Sequence, residues 1–307
     1  MSSQTEVWTP VKLIKWSEKY FTDKKIDDAR LTAELLLAHV LKWQRVELYT
    51  KFDYELSADE LKNYKELLQR RAKNEPLQYL IGETQFLDFK IKVSPRALIP
   101  RPETEHVLLK FVELISPLLV SPQGEKSPSG QWGSEFNIVD LGTGSGILAL
   151  KLAKNFSEQT IYAVDISSET LAQAEENQKS LKVENIKWFQ GDFLDALPKD
   201  FFEKKTLIIS NPPYLSQDEF NQIANELKHE PSRALLAGPK GTEAYEKILE
   251  QMRVKCLPGS CAVFEIGETQ GETLSKLFAS YFKEVIVFKD LAGKNRILQA
   301  VKMNPIQ

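Results

Sequence analysis

The chain has 307 residues, 42% hydrophobic and 27% charged, with 40 Lys and Arg against 43 Asp and Glu for a net charge of −3. This composition argues against a disordered, collagen-like or coiled-coil chain, and the length accommodates about two domains of roughly 150 residues. No apolar run approaches the ~18 residues of a membrane span, residues 1–10 lack the zones of a secretion signal, and Cys256 and Cys261 are too few to staple the fold or build a zinc site. A cytoplasmic protein without disulfides is expected. Tight binding of duplex DNA calls for a basic stripe. The longest basic cluster, Arg70-Arg71-Ala72-Lys73, lies beside Glu66 and Glu75, so direct nucleic-acid binding is not expected.

Residues 1–84 read as helices. Thr9-Pro10 predicts a helix start, with a capping hydroxyl and proline at the first helical position. Leu31, Leu35, Ala38 and Leu41 recur at helical spacing, and Leu36, Leu37 and Val40 widen the stripe into a helix buried on more than one side. Ser57-Ala58-Asp59-Glu60 predicts a capping box, opening a helix through Leu61, Tyr64, Leu67 and Leu68 that Pro76 ends. Neither strand pattern nor reactive cluster is visible here, which suits a packing or docking module. Gln85–Val93 alternates apolar and polar residues, predicting a β-hairpin within a linker over 85–98. In Ile99-Pro100-Arg101-Pro102-Glu103-Thr104-Glu105 two prolines bracket an arginine before a helical run that opens a domain over 99–307. Ser121–Gly133 is rich in turn formers and reads as a mobile surface loop.

Beyond it, short β-rich runs alternate with helical stretches. The runs are Phe136–Leu141, Thr160–Asp165, Asn185–Gln190, Leu207–Ser210, Ser260–Ile266, Glu284–Phe288 and Arg296–Val301. Strand–helix alternation predicts an α/β fold with a parallel sheet covered on both faces. Only Lys289–Asn295 separates the last two strands, too short for a parallel crossover. The expected sheet has six parallel strands and an antiparallel seventh, the hairpin partner of the sixth.

Val139-Asp140-Leu141-Gly142-Thr143-Gly144-Ser145-Gly146 closes the first of these strands. Glycines at alternate positions let the backbone turn tightly and approach a ligand. Position 147 is Ile, so the pattern departs from the G-x-G-x-x-G of a pyrophosphate cradle and suits an uncharged edge of a nucleoside. Asp165 ends the second strand, where a carboxylate takes up ribose hydroxyls. Asp192 and Phe193 follow the third, as candidates for an adenine amino group and ring; a capping aspartate and a core phenylalanine are the plain alternative.

Asn211-Pro212-Pro213-Tyr214 follows the fourth strand. Pro-Pro makes a stiff corner without backbone N–H groups, whose carbonyls are acceptors for a substrate N–H. The Asn211 side-chain oxygen offers a second acceptor, and Tyr214 a flat face. Together they predict a clamp for a planar amino or amide group.

With these residues assembled, the chain resembles class I S-adenosylmethionine-dependent methyltransferases. More closely, Ile99–Glu105, Asp140–Gly146, Asn211–Tyr214 and Glu230-Pro231 with Ala234-Leu235 occur in the order seen in the peptide chain release factor glutamine methyltransferases, the HemK/PrmC family. The resemblance implies a seven-stranded Rossmann-like sheet behind an N-terminal helical substrate-recognition domain. It implies S-adenosyl-L-methionine as cofactor, leaving as S-adenosyl-L-homocysteine, and class-1 release factors as partners of a monomer. Cofactor binding falls to Gly142, Thr143, Gly144, Ser145, Gly146, Asp165, Asp192, Phe193 and Asn211. Asn211, Pro212 and Tyr214 become catalytic, and Arg101, Glu103 and Pro213 join them at the glutamine. Arg101 and Glu103 have a second reading as mere helix-entry residues. No metal is implied, because His39, His106 and His229 are scattered. An adenine-N6 nucleic-acid methyltransferase shares the clamp and is the alternative activity; a release-factor-binding module without cofactor is the non-enzymatic one.

Overall fold

The computed structural model describes residues 7–119 and 135–305, so the predicted loop Ser121–Gly133 lies outside the described residues. The chain forms two units. One runs to Glu83 and takes in Ala224–His229; the other holds Thr84–Ile223 and Glu230 onward.

The first unit is built from α1 (Pro10–Asp23), α2 (Ala29–Leu41), α3 (Glu47–Thr50), α4 (Ala58–Arg71) and α5 (Leu77–Ile81). Thr9 takes the extended backbone of an N-cap before Pro10, but its hydroxyl makes no capping bond. The Thr9 carbonyl already accepts from Leu13 at 2.9 Å, and Pro10 has no N–H in need of a partner. The capping box forms as expected: Ser57 Oγ accepts from the Glu60 amide and the Glu60 carboxylate from the Ser57 amide. α4 stops at Arg71 rather than at Pro76. Asn74 adopts φ +65°, Arg71 Nη1 donates to the Glu75 carbonyl at 3.0 Å, and Pro76 caps α5 instead. Leu36, Leu37, Phe21 and Leu48 are fully buried, whereas Leu31 is 38% exposed. The buried face of α2 is thus rotated from the spacing read in sequence, because α2 packs against α1, α4 and α5 together. Arg71, also buried, reaches Glu226 at 3.1 Å, so the returning Ala224–His229 segment supplies this unit with a carboxylate.

The boundary falls at the first residue of β1 (Glu83–Phe86), and the second unit begins with the rest of that strand and β2 (Phe89–Lys92), joined through Leu87-Asp88 as the alternation predicts. The chain then runs through α6 (Pro102–Leu119), β3 (Phe136–Leu141), α7 (Ile147–Asn155), β4 (Ile161–Asp165), α8 (Ser168–Leu181), β5 (Ile186–Gln190), β6 (Lys205–Ser210), β7 (Leu215–Ser216), α9 (Gln217–Asn221), β8 (Leu236–Gly238), α10 (Glu243–Lys255), β9 (Cys261–Glu265), α11 (Gly271–Ala279), β10 (Phe282–Lys289) and β11 (Asn295–Met303). The main sheet has seven strands in the order β10-β11-β9-β6-β3-β4-β5. β3, β4, β5, β6 and β9 pair in parallel; β11 is antiparallel to β9 and to β10 on its other side. This is the expected doubly wound sheet with one inserted reversed strand. Its central strands are buried apolar runs, as a sheet covered on both faces requires: β9 is buried throughout and β6 is nearly so. The strand order switches direction at β3, whose neighbours are β4 and β6, and a crevice opens there beyond the carboxyl ends.

Candidate functional site

The segment after β3 makes one wall of that crevice. Gly142, Gly144 and Gly146 have φ of +67°, +57° and +82°, a left-handed backbone that side chains disfavour. The turn is pinned by Thr143 N to the Val164 carbonyl at 2.9 Å and Gly146 N to the Thr143 carbonyl at 2.9 Å. Beneath it Asp140 is fully buried; its Oδ2 accepts from Thr143 Oγ1 at 2.6 Å and from the Ala149 amide at 3.1 Å. Its Oδ1 has no partner among the described residues, and burial pushes this carboxyl up to about 7, with the nearby Asp165 charge adding to the rise.

Asp165, at the end of β4, accepts from the Gly144 amide at 3.0 Å through Oδ2 and from the Ser167 amide at 3.0 Å through Oδ1. Burial raises its pKa despite these bonds. Each oxygen keeps a second lone pair for hydroxyl donors. Asp192 and Phe193 follow β5, and Asp192 is already paired with Lys247. The Phe193 ring approaches Gly142.

Asn211 leaves β6, whose last residue, Ser210, donates through Oγ to the Leu141 carbonyl at 2.6 Å and ties the two loops together. Asn211 Nδ2 donates to Thr104 Oγ1 at 3.3 Å, and Thr104 Oγ1 donates to Glu265 Oε2 at 2.6 Å. Glu265 ends β9 and is 1% exposed; burial pushes it up to about 7, against the opposing pull of the Thr104 bond. The Tyr214 carbonyl accepts from Gln270 Nε2 at 2.9 Å, while its ring packs on the sheet core. Burial, with Glu265 next, pushes its phenol up to about 12.

A cavity of about 290 Å³ gathers these groups. Gly142, Thr143, Gly144, Ser145, Asp165, Asp192, Phe193, Asn211 and Pro213 line it, joined by Pro100, Thr104, Arg96 and Arg233. Five other expected residues are not among its lining. Gly146 caps α7, and a Cβ there would lie 2.9 Å from Ala174 Cβ and 3.0 Å from Trp188, so its smallness serves packing. Pro212 is buried at the corner and Tyr214 anchors it. Arg101 pairs with the buried Glu230, which also accepts from the Ile99 amide at 3.0 Å. Glu103 acts at longer range, its charge reaching Tyr214 and Glu265. Thr104 and Glu265 are groups that the sequence patterns do not single out: Thr104 falls within the Ile99–Glu105 segment, and Glu265, like Asp165, is an acid at the carboxyl end of a strand. Among the described residues no group of three or more His, Cys, Asp or Glu is placed to hold a metal ion, and no helix is long and apolar enough to cross a membrane.

Residues 12–82 match the PrmC N-terminal domain and residues 128–241 the methyltransferase small domain. A release factor glutamine methyltransferase of Rhodopirellula baltica is 34% identical over 98% of this chain and 99% of that protein. Proteins of the same description from Coxiella burnetii and Bacillus subtilis are 36% and 33% identical, covering 88% and 95% of this chain and 91% and 98% of their own lengths. Among solved structures, the hMettl16 catalytic domain in complex with a MAT2A 3′UTR hairpin superposes with a TM-score of 0.51 at 14% identity, over 82% of this chain and 83% of that one, a likeness of fold.

Proposed function

Since the chain belongs to the release factor glutamine methyltransferase family, a family of methyltransferases, we propose that it methylates the side-chain amide nitrogen, N5, of the glutamine in the Gly-Gly-Gln loop of class-1 release factors, with S-adenosylmethionine as methyl donor. The observation that carries the reading is Asn211, which shares one cavity wall with the glycine turn and Asp165 and has its side-chain nitrogen already committed to Thr104.

The lining fits the cofactor. The left-handed turn at Gly142 and Gly144 leaves backbone open for close approach, the spare lone pairs of Asp165 suit a ribose diol, and Phe193 offers a face to adenine. Gly146 supports this turn from behind, and Thr143 and Ser145 complete it. Asp192 contributes through the oxygen not held by Lys247. When bound, S-adenosylmethionine supplies a methyl group on a positively charged sulfur.

The chain's own work is binding and orientation. An amide nitrogen is a weak nucleophile because its lone pair is delocalised into the carbonyl. Asn211 Oδ1 and the Pro212 carbonyl accept its two N–H bonds and hold the plane of the group. Pro213 and the anchored Tyr214 keep the corner stiff, and fixed orientation of this kind is worth ~7–11 kcal/mol of barrier in favourable cases. Arg101, locked to Glu230, holds the segment that carries Glu103 and Thr104 at the substrate's side of the site. Glutamate cannot donate to the clamp, and a site built for a hydrogen bond rejects a wrong partner by ~10⁴-fold.

Incubation with labelled S-adenosylmethionine and a release factor, followed by mass spectrometry, should place one methyl on the loop glutamine. Label that survives a Gln→Glu change in that loop overturns the assignment. Such a substrate implies work in the cytoplasm. The helical unit is assigned the recognition of the release factor's body, for which it offers Val46 and Phe52, each 61% exposed. Changing both to serine should raise KM for the whole release factor several-fold, by roughly 1 kcal/mol of lost contact, and leave KM for a short Gly-Gly-Gln peptide unchanged.

A further inference from the structure

We propose that Thr104 and Glu265 are positioning residues that fix which end of the Asn211 amide meets the substrate, an inference that rests on reading Asn211 as an acceptor for the substrate amide. The two ends of an asparagine amide have nearly the same shape and opposite hydrogen-bonding character. A clamp that turned its nitrogen inward would present donors to a donor and repel the glutamine. Something must therefore decide the orientation.

The decision is made by a chain of protons that starts at a carboxylate. An ionised Glu265 accepts only, so the single hydroxyl proton of Thr104 goes to it, at 2.6 Å. The Thr104 oxygen is left with lone pairs, which require a donor from Asn211; Nδ2 supplies it at 3.3 Å. Oδ1 is then the end left for the cavity, which both Asn211 and Thr104 line. Geometry supports the dedication of these groups. Thr104 is 3% and Glu265 1% exposed, and they come from α6 and β9, two elements packed together. A buried carboxylate with no opposed cation in direct contact among the described residues is a costly thing to retain for packing alone.

Protonation of Glu265 removes the bias. A neutral carboxyl can donate to Thr104 Oγ1, the hydroxyl can then donate to Asn211 Oδ1, and the amide turns over. Burial raises Glu265 to about 7, which puts this change within reach of ordinary pH. The charges around it are Arg296 from β11 and Arg101, which favour the ionised form, and Glu103 from α6, which opposes it. Tyr214 and Tyr245 also feel its charge, and the Tyr245 hydroxyl donates to the Glu265 backbone carbonyl at 2.7 Å.

The test is steady-state methylation of intact release factor from pH 5.5 to 9 by the full-length protein and three variants, with cofactor affinity measured by calorimetry. Wild-type kcat should climb with pH as Glu265 ionises and then level off. Thr104→Val, which keeps the shape and removes the hydroxyl, should lower kcat by roughly 10- to 100-fold, less than the ~10²–10³-fold cost of deleting a preorganised polar contact itself, with cofactor affinity little changed. Thr104→Ser, which restores the hydroxyl, should recover most of that loss. Glu265→Gln should abolish the acidic limb of the profile. Unchanged kcat in Thr104→Val, or an acidic limb that persists in Glu265→Gln, overturns the relay while the glutamine assignment stands. Wild-type label on an atom other than the glutamine amide nitrogen overturns that assignment and the relay with it.

Discussion

Glu34 in the helical unit and the pair Asp140 and Glu265 in the sheet unit are buried carboxylates settled in opposite ways. In the helical unit Glu34 is 3% exposed on α2; burial pushes it up, but Tyr49, Arg30 and Arg45 together outweigh that push and hold it below the usual range. At the rim of the sheet Asp140 and Glu265 are buried with, among the described residues, hydroxyl and amide donors in hydrogen-bonding contact, and burial pushes both up to about 7. The first arrangement settles its electrostatics within the fold. The second leaves an unfavourable balance standing at the cavity, where perturbed groups gather when a site needs them.

The largest expected effect sharpens that contrast. Asn211→Ala should cut methyl transfer by roughly 10³-fold, as loss of a preorganised polar contact does at a reacting centre, with little change in melting temperature. Leu37→Ala, in the fully buried core of the helical unit, should do the reverse. It should cost ~2–5 kcal/mol of that unit's stability, read by denaturant unfolding, and leave methylation of a short Gly-Gly-Gln peptide intact at temperatures where the fold persists. Gly146→Ala forces a Cβ against Ala174 and Trp188 at a left-handed position. It should destabilise by ~1–3 kcal/mol, and if it lowered activity with no loss of stability, the distinction between packing and binding glycines in the turn would fail.

The smallest effects lie in the pH dependence of stability. Glu265 has a raised pKa when folded, so its favourable contribution is full below the ordinary carboxylate range and is lost as pH rises toward about 7. Glu265→Gln should therefore gain melting temperature relative to wild type between about pH 4 and 7. Glu34 is lowered, so its contribution is present above the ordinary glutamate range and lost in acid. Glu34→Gln should fall below wild type at neutral pH and converge with it as pH drops. Parallel melting curves for the two variants would erase the comparison.

Much of the sheet was legible because its strands are short apolar runs between helical stretches. Thr160–Asp165 and Ser260–Ile266 each overshoot the observed strand by no more than one residue at an end. The reversal at β11 followed from a loop too short for any other connection. Helix faces were harder: Leu31 fits the period of α2, yet which side of a largely apolar helix meets three neighbours is decided by packing. The glycine turn and the Asn-Pro-Pro-Tyr corner announced themselves as local patterns. Glu265 did not, and Thr104 and Glu230, although they stand within motifs of the family resemblance, showed no role there, because their meaning lies in partners far along the chain. Gly146 shows the converse: its place in a pattern suggested contact with a ligand where the fold uses it against Trp188.

The return of Ala224–His229 to the helical unit has a consequence for biosynthesis and engineering. Arg71 is finished early in translation, but the carboxylate that answers it belongs to Glu226, beyond β6, the fourth strand of the main sheet in chain order. Until that stretch leaves the ribosome, the nascent helices hold the Arg71 guanidinium with the Glu75 carbonyl but without its carboxylate. A helical cassette cut at Glu83 and grafted onto another catalytic body would inherit the same deficit. Exchange of the helical unit between relatives would have to carry both pieces of chain.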